Sequence, residues 1–459
     1  MKRIVSLPIL SLLLAVLMAS CQLGKQYTRP DLHLPLAQGD STEADTTSIT
    51  DFSWWEIYTD TTLQQLIRQT LDHNKDMLTA AAKLKEMAAQ KRIAQADLLP
   101  SIDGKLYADR ETDNYGGHNR KSSPEFDAKL LASWELDLWG NLRWAKDAAL
   151  AEYFEAVENK RALQMTLVAQ VAQAYFELVA LDNELYIVKQ TLEARQEGVR
   201  LARLRFNGGL TSETAYQQAK VELARTATLV PDLERSIALK ENDINFLAGR
   251  YPGKVERSHH PEDIQLPDML PAGLSSTLLE RRPDVRASEQ ALIAANAEVG
   301  VAYTNLFPKL TLTAQYGLES DAFKDFLRSP YNFVSGTLLQ PLFAMGKNRA
   351  ALKAKKAAYE QAAYQYEKSV LSAFKDAQNA IVEFNKIKEI YQSRKNLEEA
   401  SRKSIKLTQL QYINGAISYL EVLDAQRTYL DAQIGLSNAI RDKQIALVQL
   451  YQAFGGGWE

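Results

Sequence analysis

The sequence predicts an α+β membrane protein made of two copies of one unit, each a short β-hairpin joined to a very long helical hairpin. Three observations predict it. The second half replays the first about 206 residues later, two very long runs carry no proline, and short segments alternate apolar with polar side chains.

The repeat is read residue by residue. Leu99-Pro100 and the run Ser101 to Tyr107 answer to Phe307-Pro308 and Lys309 to Tyr316, at an offset of 208. Leu138-Trp139-Gly140 answers to Phe343-Ala344-Met345-Gly346, and Arg205-Phe206-Asn207-Gly208-Gly209 to Gln411-Tyr412-Ile413-Asn414-Gly415, both at 206. Each match is weak alone, but all keep one order. A period this long is duplication of a whole unit, since solenoid repeats run at about 20–50 residues.

The amino terminus sets the compartment. Lys2-Arg3 precedes an apolar stretch from Ile4 to Met18, and Ala19-Ser20 precedes Cys21, the one cysteine among 459 residues. The stretch is shorter than the ~20 apolar residues of a membrane anchor, so 1–20 reads as a signal peptide. With its cysteine after a small pair it looks like a bacterial lipoprotein signal, cleaved before Cys21 and acylated there. An ordinary secretory peptide with an incidental cysteine is the alternative. Gln22 rather than aspartate follows, which by resemblance to enteric lipoproteins favours the outer membrane.

Residues 21–56 form a lipidated tether and equatorial segment, rich in Pro, Thr, Asp and Ser up to residue 50. Leu63, Leu66, Ile67 and Leu71 then mark one helical face, Asn74 a break, and residues 76–97, with apolar positions from Ala80 to Ile93, a second helix stopped by Pro100. From Gly140 to Phe206 and from Lys347 to Tyr412 there is no proline. At ~1.5 Å per residue each run predicts a rod of about 100 Å. Each meets a glycine turn and returns through a helix, giving hairpins at about 140–249 and 346–453 that pack as coiled coils. A solid bundle in the manner of spectrin would use the same helices.

Strand-like runs interrupt this plan at one place per half. Leu130, Ala132, Trp134 and Leu136 alternate with Leu131, Ser133, Glu135 and Asp137; Leu310, Leu312, Ala314, Tyr316 and Leu318 alternate with Lys309, Thr311, Thr313, Gln315 and Gly317. Period two with one polar face fits strands between lipid and water. Each half offers two, about 101–110 with 126–138 and 309–319 with 331–342. Four strands cannot close a barrel, so several chains must contribute. Two soluble hairpins capping a helical bundle remain the alternative. Tyr107, Trp134, Trp139 and Trp144 are candidates for an interfacial aromatic girdle.

Composition narrows the function. A net charge of −3 gives no support for nucleic-acid binding, and one cysteine permits no internal disulfide. The five histidines form no ligand spacing, and no phosphate loop, dinucleotide fingerprint or hydrolase motif occurs, so neither a metal nor a cofactor is expected and the chain does not read as an enzyme.

Tyr27-Thr28-Arg29-Pro30, Trp54-Trp55 with Asp60 and Leu63, Asp137-Leu138-Trp139-Gly140, Leu279-Glu280-Arg281-Arg282-Pro283-Asp284-Val285, and Gly415 with Leu420-Glu421-Val422-Leu423-Asp424-Ala425 stand in an order that resembles a known family. It is the lipoprotein branch of the outer-membrane factor, or TolC-type, efflux channels. The resemblance implies a homotrimer whose strands, four per chain, form one 12-stranded barrel continued by a long periplasmic α-helical barrel. It implies two structural repeats, 57–249 and 285–454, an equatorial connector at 250–284, and a tail at 455–459. Pro252, Pro261, Pro267, Pro271 and Pro283 suit an irregular connector, and Arg281 and Arg282 are expected to pack or pair with equatorial carboxylates.

The resemblance also assigns roles. Glu421 and Asp424 match acidic residues that ring the periplasmic constriction, where three copies would attract cations; a solvated helix face is the plainer reading. Asn207, Gly208, Gly209, Asn414 and Gly415 match the turns that contact a periplasmic adaptor, though a plain helix stop would use the same residues. The implied partners are that adaptor, an inner-membrane pump of the proton-driven resistance-nodulation-division type, and outer-membrane lipid. The expected function is a passive exit duct for small molecules. A duct for protein secretion or metal efflux, and a lipid-anchored coiled-coil scaffold without a lumen, remain open.

Overall fold

The computed structural model describes residues 22–32, 53–115, 119–257, 281–343 and 345–458. The signal segment, Cys21, residues 33–52 of the tether and residues 258–280 of the connector lie outside them, with Pro261, Pro267 and Pro271. In chain order the helices and strands are α1 (Trp54–Ile57), α2 (Thr61–His73), α3 (Lys75–Ala96), β1 (Ser101–Tyr115), β2 (Asn119–Leu136), α4 (Asn141–Asn207) and α5 (Glu213–Leu247). Then come α6 (Pro283–Thr304), β3 (Lys309–Ser320), a 3-10 turn (Phe323–Arg328), β4 (Pro330–Leu339), α7 (Lys347–Ile413) and α8 (Tyr419–Ala453).

The duplication is visible in these boundaries. α3 and α6 are both 22 residues long, and α6 starts 208 residues after α3. α4 and α7 are both 67 residues and start 206 apart. α5 and α8 are both 35 residues, again 206 apart. Gly140 and Gly346, one residue before each long helix, both take positive φ, +82° and +77°.

The chain divides into two compact units, one drawing on residues 1–32, 83–157 and 287–368. Its four-stranded antiparallel sheet has the order β1-β2-β3-β4. Register places Leu106 beside Ala128, Leu130 beside Tyr316, Trp134 beside Leu312 and Ala314 beside Val334, all on one face. Leu106, Leu130, Tyr316, Val334 and Leu338 are exposed there. The opposite face carries Lys105, Asp127, Lys129, Glu135, Thr313, Glu319 and Ser335. The alternation read from β2 and β3 is therefore the alternation of a wall with a lipid side and an aqueous side. β2 and β3 pair over eleven rungs, Leu136 with Leu310 up to Phe126 with Ser320. At a rise of ~3.3 Å and a tilt of ~40° these cover about 25 Å, the height of an outer-membrane apolar band.

Ion pairs on the aqueous face hold the seam between the two repeats. Lys129 pairs with Glu319 across β2 and β3 and with Asp127 at 2.9 Å, and Lys309 pairs with Glu135 at 3.1 Å at the other end. The Lys129 ammonium also lies 4.2 Å from the centre of the Tyr331 ring. Opposite Lys129 stands Gly317, where the strands run too close for a side chain: a Cβ would sit 2.1 Å from the Ala128 carbonyl oxygen.

Several boundaries differ from the sequence reading. β1 and β2 run over 101–115 and 119–136 rather than 101–110 and 126–138, because the polar residues above the band pair with one another as a two-stranded ribbon. Asp137 leaves the ladder to accept the Leu142 and Arg143 amides, both at 3.0 Å, capping α4. β4 ends at Leu339, just before Pro341, which has no N–H to donate. Pro283 opens α6 instead of breaking a helix, since the first helical position needs no amide hydrogen.

The girdle is also smaller than expected. Trp144 is buried, with its indole N–H on the Leu23 carbonyl at 2.8 Å and its ring filling the space a Cβ at Gly300 would need. Trp139 donates to the Pro308 carbonyl at 2.8 Å and packs on Phe307. Both fasten the strand–helix junction. Tyr107 faces the aqueous side and donates to Asp109, leaving Trp134 alone of the four on the lipid face.

The second unit draws on residues 33–82, 158–286 and 369–459. Asn74 closes α2 by donating to Thr70 and caps α3 by accepting from Asp76 and Met77, so the break falls where the sequence puts it. Leu63, Leu66 and Ile67 are buried, and Asp60 caps α2 while accepting the Tyr175 hydroxyl at 2.6 Å. Arg282 grips Asp284 through two bonds, of 3.0 and 2.6 Å, and approaches Asp376 of α7, so it pairs with carboxylates. The tail contributes the Trp458 ring, which lies under the Arg161 guanidinium.

Replacing Gly317 with Ala should lower stability by about 1–3 kcal/mol, the usual cost of overpacking. Heating the assembled protein until it dissociates measures this. Gly104→Ala, where a Cβ meets open space, should dissociate at the unchanged temperature.

Candidate functional site at the helical hairpin turns

Both turns are built alike. After α4, Leu210 N–H donates to the Arg205 carbonyl at 2.8 Å and Gly209 N–H to Phe206 at 3.0 Å or less. After α7, Ala416 donates to Gln411 and Gly415 to Tyr412 in the same pattern. This closure of a helix end needs a left-handed residue, supplied by Gly209 at φ +70° and Gly415 at φ +76°. Leu204 and Leu210 by the first turn, and Leu410 and Ile413 by the second, expose their side chains to solvent. Leu204 and Leu410 are equivalent across the repeat, so each turn carries part of the same apolar surface.

The two hairpins pack together behind the turns. Ala202, Ala219, Tyr419, Val422 and Leu423 form a buried cluster drawn from α4, α5 and α8. The Arg205 guanidinium lies 4.7 Å from the Tyr412 ring centre, joining the end of α4 to the end of α7. Burial pushes the Tyr419 hydroxyl above its ordinary pKa, helped by Tyr412.

A buried ion cluster lies beside them. Glu222 of α5 accepts from Arg195 of α4 at 3.1 Å and from Arg427 of α8. Arg195 and Glu222 expose only 5% and 3% of their side chains, and Thr226 also takes a bond from Arg195. The hydrogen bond from Arg427 holds the Glu222 carboxyl below its ordinary pKa, against burial, which pushes it up. Burial pulls Arg195 down from the usual arginine range, opposed by the Glu222 charge. One carboxylate thus ties the first hairpin internally and to the second.

The acids singled out in the sequence lie next to this cluster. Asp424 is exposed one turn before Arg427 on α8, and its charge adds to those holding Arg427 protonated. Glu421 is exposed too, but its carboxylate turns back to accept the Ser418 amide and hydroxyl, both at 3.2 Å. It therefore also caps α8. Both line a cavity of about 670 Å³ between α7 and α8, walled by Ser401, Ser404, Thr408 and Thr428.

Arg195, Glu222 and Arg427 were not singled out from the sequence. A signal was present in the repeat: 206 residues on, Arg195 becomes Ser401 and Glu222 becomes Thr428. The first hairpin buries a charge pair where the second has hydroxyls around a cavity.

Cys21, the lipidation residue expected from the sequence, lies outside the described residues, but its neighbour is held firmly. Gln22 donates to Asp147 at 3.2 Å, and Leu23 N–H bonds the Trp139 carbonyl at 3.0 Å. Arg29 makes two bonds to Glu289, of 2.7 and 2.6 Å. The start of the described chain is thus fastened at the base of the strands.

A sheet with one apolar face and duplicated long helical hairpins define a class of outer-membrane channel. The family model described as outer membrane efflux protein matches residues 66–250 and 274–456, and this chain belongs to that family. It is 32% identical to the pyoverdine export outer membrane protein OpmQ of Pseudomonas putida, over 90% of this chain and 89% of that one. It is 28% identical to the probable outer membrane lipoprotein SilC of Salmonella typhimurium, over 98% and 99%. The solved outer-membrane channel OprN superposes with a TM-score of 0.89 at 30% identity, covering 95% of this chain and all of that one.

The chain is therefore one subunit of a homotrimeric TolC-type channel with a 12-stranded barrel and a periplasmic helical extension. It is a passive, lipid-anchored outer-membrane conduit, not an enzyme, and works with a periplasmic adaptor and an inner-membrane pump of the resistance-nodulation-division type.

Glu222→Gln should loosen the hairpin ends, since removing one partner of a buried ion pair costs about 3–5 kcal/mol. Hydrogen exchange in α5 and the start of α8 should speed up accordingly. The folded pKa of Glu222 is depressed, so its contribution is present above the ordinary value of 4.5 and is lost as pH falls through the lower folded value. Once the intrinsic pH dependence of exchange is divided out, protection in the parent protein should be unchanged on mild acidification, and only stronger acid should reproduce the variant.

Proposed function

We propose that the hairpin turns form the gate of this efflux duct, with Glu421 and Asp424 as its acidic ring and the Glu222 cluster as the tie that keeps it closed. The observation that carries this is the Glu222 carboxylate shared between Arg195 and Arg427, one turn from Asp424. Parting the hairpins breaks the Arg427 bond and leaves the Arg195 pair intact. The second hairpin, with a cavity where the first has a buried charge pair, is the one able to repack.

The turns containing Asn207, Gly208, Gly209, Asn414 and Gly415 are the surface offered to the adaptor. Their left-handed glycines let a partner backbone approach closely, and the exposed leucines around them supply apolar area. Acylation at Cys21 anchors the chain beside the barrel, where Gln22 is fastened. Cargo is chosen by the pump, and small molecules are the class this duct carries. A duct for metal ions or secreted proteins would use the same wall.

In planar bilayers the closed trimer should pass small, cation-preferring currents. The variant carrying Glu421→Ala and Asp424→Ala should lose most of that preference; unchanged conductance with unchanged preference would remove the acids from the gate. Cys21→Ser should reduce the amount of trimer recovered from outer membranes, measured against total expressed chain.

A further inference from the structure

Between β3 and β4 the chain makes a 3-10 turn, Phe323–Arg328, in which Phe326 is half-buried while Phe323 and Leu327 face outward from the chain. Phe323 is 75% exposed and Leu327 80%. This is not a loose loop. Ala322 N–H bonds the Ser320 hydroxyl, Ser329 caps back onto the Asp325 carbonyl, and Glu319 N–H bonds the Ser329 carbonyl, at 3.0 to 3.1 Å.

Its position on the sheet fixes its surroundings. Phe323 packs edge-on against Phe126, with ring centres 5.5 Å apart. Phe126 shares the parity of Ala128, Leu130 and Trp134 and so belongs to the lipid face, on the last rung of the β2–β3 ladder. That rung is the end of the 25 Å band farthest from the helices. Trp134, on the third rung from the other end, marks the opposite boundary. Above Phe126 the lipid-face parity passes to Pro124 and Arg110, where the apolar character stops.

Lys324 and Arg328 are exposed in the turn beside Phe323 and Leu327, with the turn's own Asp321 and Asp325, while Asp127 and Glu319 point to the aqueous face of the sheet. An apolar pair continuous with the lipid face, with two long exposed cations beside it in the same turn, matches the outer leaflet of a membrane whose headgroups carry phosphate. A protein partner would have to displace lipid that the neighbouring strands already require.

We propose that the Phe323–Arg328 turn is a leaflet anchor: Phe323 and Leu327 insert among the outer-leaflet acyl chains while Lys324 and Arg328 engage headgroup phosphates.

The test uses the full-length trimer in vesicles. Phe323→Cys and Leu327→Cys are each labelled with a nitroxide, and the parent chain, whose one cysteine is Cys21, is the labelling blank. Leu106→Cys serves as the hydrocarbon reference and Tyr251→Cys, at a 95% exposed site, as the aqueous one. Only preparations that run as trimers and conduct are read, and either turn variant suffices.

In phosphatidylcholine vesicles the turn labels should collide with oxygen several-fold more, relative to a water-soluble nickel chelate, than the Tyr251 label does. Ratios equal to the aqueous reference, or shielding from both reagents as in a protein contact, would overturn the anchor. Adding phosphatidylglycerol should draw the labels deeper, and Lys324→Gln with Arg328→Gln should abolish that shift. A shift that persists in the double variant would remove the headgroup role of these two cations.

Discussion

Unpaired backbone at a sheet edge has no place in hydrocarbon, and this constraint organises the rest of the molecule. Within one chain β1 and β4 each pair on a single side. The sheet therefore has to be closed by other copies, and everything that meets lipid must be apolar on one face only. The strict parity of Leu106, Leu130, Leu312 and Val334 against Lys105, Lys129, Thr313 and Ser335 follows from that. So does the ion pairing on the inner face, where Asp127 and Glu319 stand directly opposite and need Lys129 between them.

Duplication supplies the wall economically, but function enters where the copies diverge. Helix lengths, turn closures and positive-φ glycines are kept across the repeat almost to the residue. Charge is not. Arg195 and Glu222 sit buried in one hairpin while Ser401 and Thr428 hold the equivalent places in the other. In the proposed gate, unequal hairpins let one side move while the other holds.

Much of the fold was legible in the chain because its signals are periodic and long. Proline-free runs gave α4 and α7 nearly to their ends, Asn74 gave the break between α2 and α3, and period two gave β3. Strand ends were less legible where pairing does not depend on apolar alternation, as in the ribbon above Phe126. The tryptophans misled because an indole can fasten a junction as well as sit at an interface, and only three-dimensional neighbours such as Leu23 and Gly300 distinguish these for Trp144. For the candidate gate, the turns are marked by their glycines, and the acids were picked out by the resemblance to a known family. The Arg195–Glu222–Arg427 cluster joins residues from three helices, and no local pattern announces such a meeting.

The seam between β2 and β3 also bears on the order of biogenesis. Lys129 and Glu319 are 190 positions apart, and all of α4, α5 and α6 lies between their strands. A flexible loop of that length makes strand pairing slow, because its closure entropy is lost before any rung forms. Once the intervening helices have folded, their own packing has already brought the ends together. The junction where Asn141 at the start of α4 donates to Thr304 at the end of α6, at 2.8 Å, sets β2 beside β3, and a chain arriving at the bilayer with its helices unfolded would present two separate hairpins with four unprotected edges rather than one sheet with two.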